Sequence, residues 1–331
     1  MTILKRNSAI HMEIIDPDAP NAKEPITDLI SLGEQFLIIR ANGVYQAHFP
    51  EEIDKENTAP DTKSTYTKLY SVGSTNPYLT FGFLQFKSLV AFSAHKEQVF
   101  RHLWYTTRYL LNCEENLYYI YNETIQRGTQ GDKIITENKH KSSIPLLPTI
   151  PFLDEHVAQF LINAKHCLIQ TFKIFHIILQ VPDKDANFED YYKWFEDRQE
   201  RYKAIYLTIK EDIPWIKEVS NLRNAIEHPN EGQNVEIRNI SLLPGNKLNL
   251  PSWKYDLSRK GCRKQDYFSD IVADMNTILH NLLSFQEDVT ALCLNQELID
   301  TNSWIRICKK QNISPDCREK FFLLRISDES C

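Results

Sequence analysis

The chain has 331 residues, 42% of them hydrophobic, which is enough to build a sizeable core and excludes disorder as its dominant state. Its formal net charge of -6 excludes a global basic field, so any nucleic-acid binding needs a local patch or a second subunit. Only 9 glycines stand against 17 Phe and 15 Tyr, which argues against turn-rich all-β folds and glycine-rich nucleotide loops and favours helices.

The opening Met1-Thr2-Ile3-Leu4-Lys5-Arg6 is followed by polar Asn7 and Ser8, and Glu13 interrupts the next apolar pair, so no secretory signal is read and a cytoplasmic location is expected. Residues Pro25 to about His48 carry Leu29, Leu32, Phe36 and Ile39 at helical spacing after a Thr27-Asp28 cap, which predicts a first helix. Pro50 to Pro77 is rich in Glu, Asp, Lys, Thr and Ser and reads as a loop. Two helices are predicted next, over Tyr78 to His95 and Glu97 to Ile125. Gln85 and Lys87 break the most apolar stretch, Tyr78 to Ala94, so no membrane span is expected. Gln126 to Pro151 combines Gly128, Gly131 and a Lys-His-Lys run with prolines, and reads as a connector.

Beyond it, Val157, Leu161, Ala164, Leu168, Phe172, Phe175 and Leu179 form a nearly continuous stripe that predicts a helix from Asp154 to Val181. Asn187 caps an amphipathic run to Ile205, and Pro214 marks the first turn of the helix after it. Val235, Ile237, Ile240, Leu248, Leu250 and Trp253 flank Pro244-Gly245-Asn246-Lys247 and suggest a small β-hairpin insertion. A last long helix is predicted over Tyr267 to Leu298, and Phe321 to Ile326 suggests an edge strand or docking segment. The expected fold class is therefore all-α: an N-terminal helical region (1–125), a connector (126–151), a helical bundle (152–300) with its insertion (234–255), and a tail (301–331).

Seven cysteines, Cys113, Cys167, Cys262, Cys293, Cys308, Cys317 and Cys331, lie far apart with no Cys-x-x-Cys pair. Free thiols are expected, with no metal site and no cofactor. His156, His166 and His176 advance by about 80° per step around one predicted helix, too scattered for a shared metal. The pair His166-Cys167 is set aside as a nucleophile because adjacent helical side chains diverge. Tyr191, Tyr192, Trp194 and Phe195 offer rings that stack bases in single-strand binders, but at helical spacing they fit a core.

Pro214 to His228 carries the chemistry. Trp215, Val219, Leu222 and Ile226 define one buried stripe, while Arg223, Glu227, Asn224 and His228 lie about 80°, 120°, 180° and 220° from Trp215 and share the open arc. Pro229 keeps His228 out of the helical region, so the helix ends there and the imidazole meets the negative end of the dipole, which favours its charged form. A titratable imidazole beside a permanent guanidinium suits phosphodiester cleavage: the histidine moves a proton at the ribose 2′-hydroxyl or the leaving 5′-oxygen, and Arg223 stabilises charge on the phosphate.

The segment Leu222-Arg223-Asn224-Ala225-Ile226-Glu227-His228 resembles the signature of the HEPN ribonuclease superfamily, an arginine, often a following polar residue, and a histidine four to six positions after the arginine. The resemblance covers the motif and the helical context of about Asp154 to Leu298. It implies a helical bundle that forms a homodimer, a composite metal-independent endoribonuclease site, and a role in toxin–antitoxin, antiviral or RNA-processing systems with an antitoxin or regulatory partner. Carried onto this chain it implies Arg223, Asn224 and His228 as catalytic residues, with Glu227 a neighbour without an assigned role. Arg6-Asn7-Ser8-Ala9-Ile10-His11 fits the same spacing but lacks an apolar helical stripe. Among the basic strings, Arg259, Lys260, Arg263 and Lys264 lie between the insertion and the last helix and are the preferred RNA contact.

Overall fold

The computed structural model describes residues 25–59, 61–182 and 188–298, together with the backbone of strands at 303–307 and 321–325. The Arg6 to His11 match and the Asn187 cap lie outside the described residues. The chain divides between Thr80 and Phe81 into two compact units, whereas its composition points to a connector at 126–151.

The first unit overturns the all-α expectation. Strands β1 (Ile26–Leu32), β2 (Gln35–Arg40), β3 (Gly43–His48) and β4 (Thr65–Tyr70) form an antiparallel sheet in sequence order, with the short helix α1 (Pro50–Ile53) between the last two. The helix predicted over Pro25 to His48 is thus three strands. Gly33, at φ 62, opens the tight turn after Leu32, which pairs with Gln35. Leu37, Ile38 and Ile39 are all fully buried. Successive residues of a strand point to opposite faces, so three consecutive buried side chains need a sheet covered on both sides, and such a run carries no periodicity to separate it from a helix. Ile38, Tyr45 and Ala47 pack with Phe36, Phe49 and Tyr66 on one face.

The predicted loop, Pro50 to Pro77, contains α1 and β4, and its end is tied back to the sheet. Ser74 N–H donates to the Arg40 carbonyl at 2.8 Å and Thr75 Oγ1 to the Ala41 carbonyl at 2.8 Å. Gly73 permits this approach, because a Cβ there would stand 2.0 Å from the Arg40 carbonyl oxygen.

Helix α2 (Pro77–Gly82) crosses the division, and the second unit continues with α3 (Lys87–Val90), α4 (Lys96–Asn138), α5 (Leu153–Leu179), α6 (Phe188–Glu196), α7 (Lys203–Glu227) and α8 (Ile271–Leu298). The helix predicted over Tyr78 to His95 is therefore broken into short turns. Helix α5 matches its predicted span and is central, packing against α4, α7 and α8. Its fully buried Val157, Phe160, Leu161, Ala164 and Leu168 repeat at three and four residues, which supplies the apolar face that binds its neighbours. Tyr191 and Phe195 of α6 are core residues whose rings meet Phe172 and Phe175 in T-shaped, edge-on contacts.

Helix α4 runs through Gly128 and Gly131, which the composition assigns to a connector. A Cβ on Gly131 would stand 2.9 Å from Leu248 Cδ1, and one on Gly128 3.2 Å from Leu250 Cδ2. The two glycines are contact positions where leucines of a later hairpin press on the helix, at a propensity cost of about 1 kcal/mol each. Pro214 likewise lies inside α7 rather than in its first turn. A helix tolerates such a proline when packing on either side outweighs the lost hydrogen bond, and Ile209 and Ile216 are both fully buried.

The insertion after the motif is larger than one hairpin. Strands β5 (Asn234–Arg238), β8 (Ser252–Asp256) and β9 (Lys264–Asp270) form a three-stranded sheet in the order β5-β8-β9, with β6 (Ser241–Leu243) and β7 (Lys247–Asn249) paired separately. Tyr267 belongs to β9, and α8 begins only at Ile271, where Asp270 Oδ1 accepts from the Val272 N–H at 2.8 Å as an N-cap. Strands β10 (Ser303–Ile307) and β11 (Phe321–Arg325) pair antiparallel. The molecule is mixed α/β. No helix among the described residues is long and apolar enough to cross a membrane.

Candidate functional site

Helix α7 ends where Pro229 predicts. The His228 N–H makes the last helical bond, to the Asn224 carbonyl at 2.8 Å, and the backbone then leaves the helix at φ -134 and ψ 66. Asn230 Nδ2 donates to the His228 carbonyl at 2.8 Å, which satisfies one of the orphan acceptors of the helix end. The His228 side chain is 72% exposed, while those of Arg223 and Glu227 are 25% and 27% exposed.

The four motif side chains meet. Arg223 Nη1 lies 2.5 Å from Glu227 Oε2 and donates to Asn224 Oδ1 at 3.2 Å, and His228 Nε2 stands 3.9 Å from Glu227 Oε2. The tertiary fold adds residues that motif reasoning missed. Lys165 of α5 donates from Nζ to Asn224 Oδ1 at 3.2 Å, so one amide oxygen accepts from two cations. Its neighbour His166 stacks on Tyr109 of α4 at 5.3 Å between ring centroids.

Charge ties these helices together. Burial lowers the Lys165 pKa from its ordinary value, the Arg223 guanidinium lowers it further, and Glu227 partly opposes both. Burial likewise lowers the His166 pKa, followed by the charges of Arg223 and Lys165, again against Glu227. The cluster holds Arg223 and Lys165 against the single carboxylate of Glu227, which leaves a local positive excess in a chain of negative net charge. Such an excess suits a phosphate oxygen, although here the guanidinium and the ammonium are directed at Glu227 and Asn224.

The basic segment divides. The backbone N–H of Arg259 donates to the Gly232 carbonyl at 2.9 Å, which brings exposed Arg259 and Lys260 beside the loop that follows His228. Lys264 is held instead by Asp266 at 3.3 Å and Asp256 at 3.9 Å, and Arg263 Nη2 donates to the Tyr267 hydroxyl at 2.9 Å. Of the four, only Arg259 and Lys260 are placed beside the motif loop.

The remaining histidines of α5 have local tasks: His156 bonds Asn116 at 2.9 Å and stacks on Tyr119, and His176 bonds the Val181 carbonyl at 2.8 Å. Cys167 is fully buried, and burial raises its pKa, which makes it a poor nucleophile. Among the described residues no group of three His, Cys, Asp or Glu side chains is arranged to hold a metal. No protein-family model matches the chain, and no curated protein and no solved structure matches it either.

Proposed function

We propose that the α5–α7 cluster is a metal-independent endoribonuclease site. What supports this is one arrangement: Arg223, Asn224 and exposed His228 on the closing turn of α7, with Lys165 brought to Asn224 from α5. In the reaction the ribose 2′-oxygen attacks the adjacent phosphorus, a P–O2′ bond forms, and the P–O5′ bond breaks. His228 takes the 2′-hydroxyl proton or gives one to the departing 5′-oxygen. The products are a 2′,3′-cyclic phosphate and a 5′-hydroxyl. Arg223 and Lys165 offset the charge that builds on the non-bridging oxygens, and Glu227 orients the guanidinium and borders the imidazole. A homodimer supplies the second histidine, so that one copy acts as base and the other as acid.

A second reading follows from the same distances. The Arg223 guanidinium is already shared between Glu227 and Asn224, as in a non-catalytic module that binds RNA or nucleotide on this face. Purified wild type and His228→Ala incubated with mixed cellular RNA in EDTA separate the two. Histidine-dependent fragments ending in cyclic phosphate are expected for the enzyme. Binding without turnover identifies the module, and equal cleavage by both proteins removes the mechanism.

A further inference from the structure

On another side of α7, the helix faces α8 and the β8–β9 hairpin across a cavity of about 220 Å³. Four aromatic residues line it, Trp215 from α7, the buried Trp253 and Tyr255 from β8, and exposed Tyr267 from β9, together with Val219 and Leu222. A cavity of roughly 150 Å³ admits a benzene ring, so this volume has room for a ring of bicyclic size while remaining smaller than the ~300 Å³ at which pockets for drug-sized ligands begin.

Polar groups enter at defined points. The Tyr255 hydroxyl donates to Glu218 Oε1, Trp253 Nε1 donates to Asp274 Oδ2 at 2.7 Å, and Ser269 Oγ donates to the same oxygen at 2.5 Å. A carboxylate has about four lone-pair sites, so Glu218 keeps acceptor capacity after one bond. Arg263 lines the same cavity and is exposed. Aromatic walls with acidic groups also describe a cage for a quaternary ammonium. The guanidinium of Arg263 opposes a bare cation and favours a ligand that brings its own negative charge.

We infer that this cavity binds a guanine base, with Trp215 and Tyr267 stacking on its faces, Glu218 accepting from its adjacent N1–H and N2–H donors, and Arg263 meeting its phosphate. Guanine presents two neighbouring donors to one carboxylate, whereas adenine and cytosine each offer a single amino group. The base can come from a free nucleotide or from an unstacked position in RNA, since single-stranded bases are read by stacking and by hydrogen bonds to their edges. The inference does not rest on the ribonuclease reading.

The test is calorimetric titration of the full-length protein carrying His228→Ala, so that any His228-dependent cleavage of the strands is suppressed, with GMP, AMP, CMP, choline, and oligouridylates with and without one internal guanosine. GMP or the guanosine-bearing strand is expected to bind saturably and at least about tenfold more tightly than its controls; the free nucleotide binding identifies one source, the strand alone the other. Glu218→Gln, which retains an acceptor for Tyr255, should weaken that binding about tenfold. Tyr267→Ala, at an exposed strand position, should weaken it by a similar factor through lost stacking. No saturable binding at millimolar concentration, equal affinity for AMP or CMP, a preference for choline, or full affinity in both variants overturns the assignment.

Discussion

Helix α7 carries two clusters of polar and aromatic side chains on different faces, and they differ in chemistry. Toward α5 it presents Arg223, Asn224 and Glu227, a charged cluster that ends at an exposed imidazole. Toward α8 and the β8–β9 hairpin it presents Trp215, Glu218 and Leu222, one side of an aromatic-lined cleft. The first gathers two cations, one carboxylate and a solvent-exposed imidazole, the groups on which the proposed reaction at an RNA backbone rests. The second is a cleft in which Trp215, Trp253, Tyr255 and Tyr267 alternate with polar groups such as Glu218, Arg263 and Asp274, the mixture on which the proposed base recognition rests. One helix packed on two sides can thus carry a charged cluster and an aromatic-lined cleft on separate surfaces.

The comparison is broken most severely by removing the imidazole. His228→Ala is expected to lower RNA cleavage by about 10²–10⁴-fold, the usual range for a general acid or base, while its exposure keeps the change in folding stability within about 0.5 kcal/mol. A variant that unfolds early instead would mark His228 as structural. Arg223→Ala should reduce cleavage by about a hundredfold through lost phosphate stabilisation, with partial recovery in Arg223→Lys, because lysine restores charge but not the fork. Equal activity of the lysine and alanine variants would deny the guanidinium a role at the phosphate.

Leu222 sharpens the contrast from the other face, since it is 2% exposed and forms part of the cavity floor. Leu222→Ala should destabilise the protein by about 2–4 kcal/mol through a lost apolar contact and a residual cavity. The measurement is a lower urea midpoint at unchanged slope; a change well under 1 kcal/mol would mean that the wall collapses freely.

The smallest expected effect is a titration. His166 should titrate below the ordinary histidine range because burial, Arg223 and Lys165 disfavour its cation. A group whose pKa is lower when folded contributes stability that is present above the ordinary value of about 6.5 and lost as pH falls through the folded value. Glu227→Gln removes the one opposing charge and should lower the His166 pKa further, while Arg223→Met should raise it; both are read from the imidazole resonances by NMR. Movement in the reverse direction would separate His166 from the cluster.

Several of these elements were legible in the residues because their causes are local. The stripe from Val157 to Leu179 marks α5 in its position, and Pro229 ends α7 at the expected histidine. The glycine-bearing turn at Pro244 to Lys247 does close a hairpin. The N-terminal sheet was hidden because Leu29, Leu32, Phe36 and Ile39 satisfy a helical spacing by accident, although Leu29 is exposed and the continuous buried run is Leu37 to Ile39. Gly128 and Gly131 mimicked a connector because the leucines that require them lie more than a hundred positions away in the chain.

By itself, then, the sequence determined the charged end of α7: side chains one turn apart on a helix must be neighbours, whatever surrounds them. Only the tertiary structure decided what faces them. Lys165 reaches Asn224 across 59 positions, and the aromatic cavity assembles from α7, α8 and two strands. Contacts between distant segments are set by which apolar faces pack together, and local periodicity carries no record of that pairing.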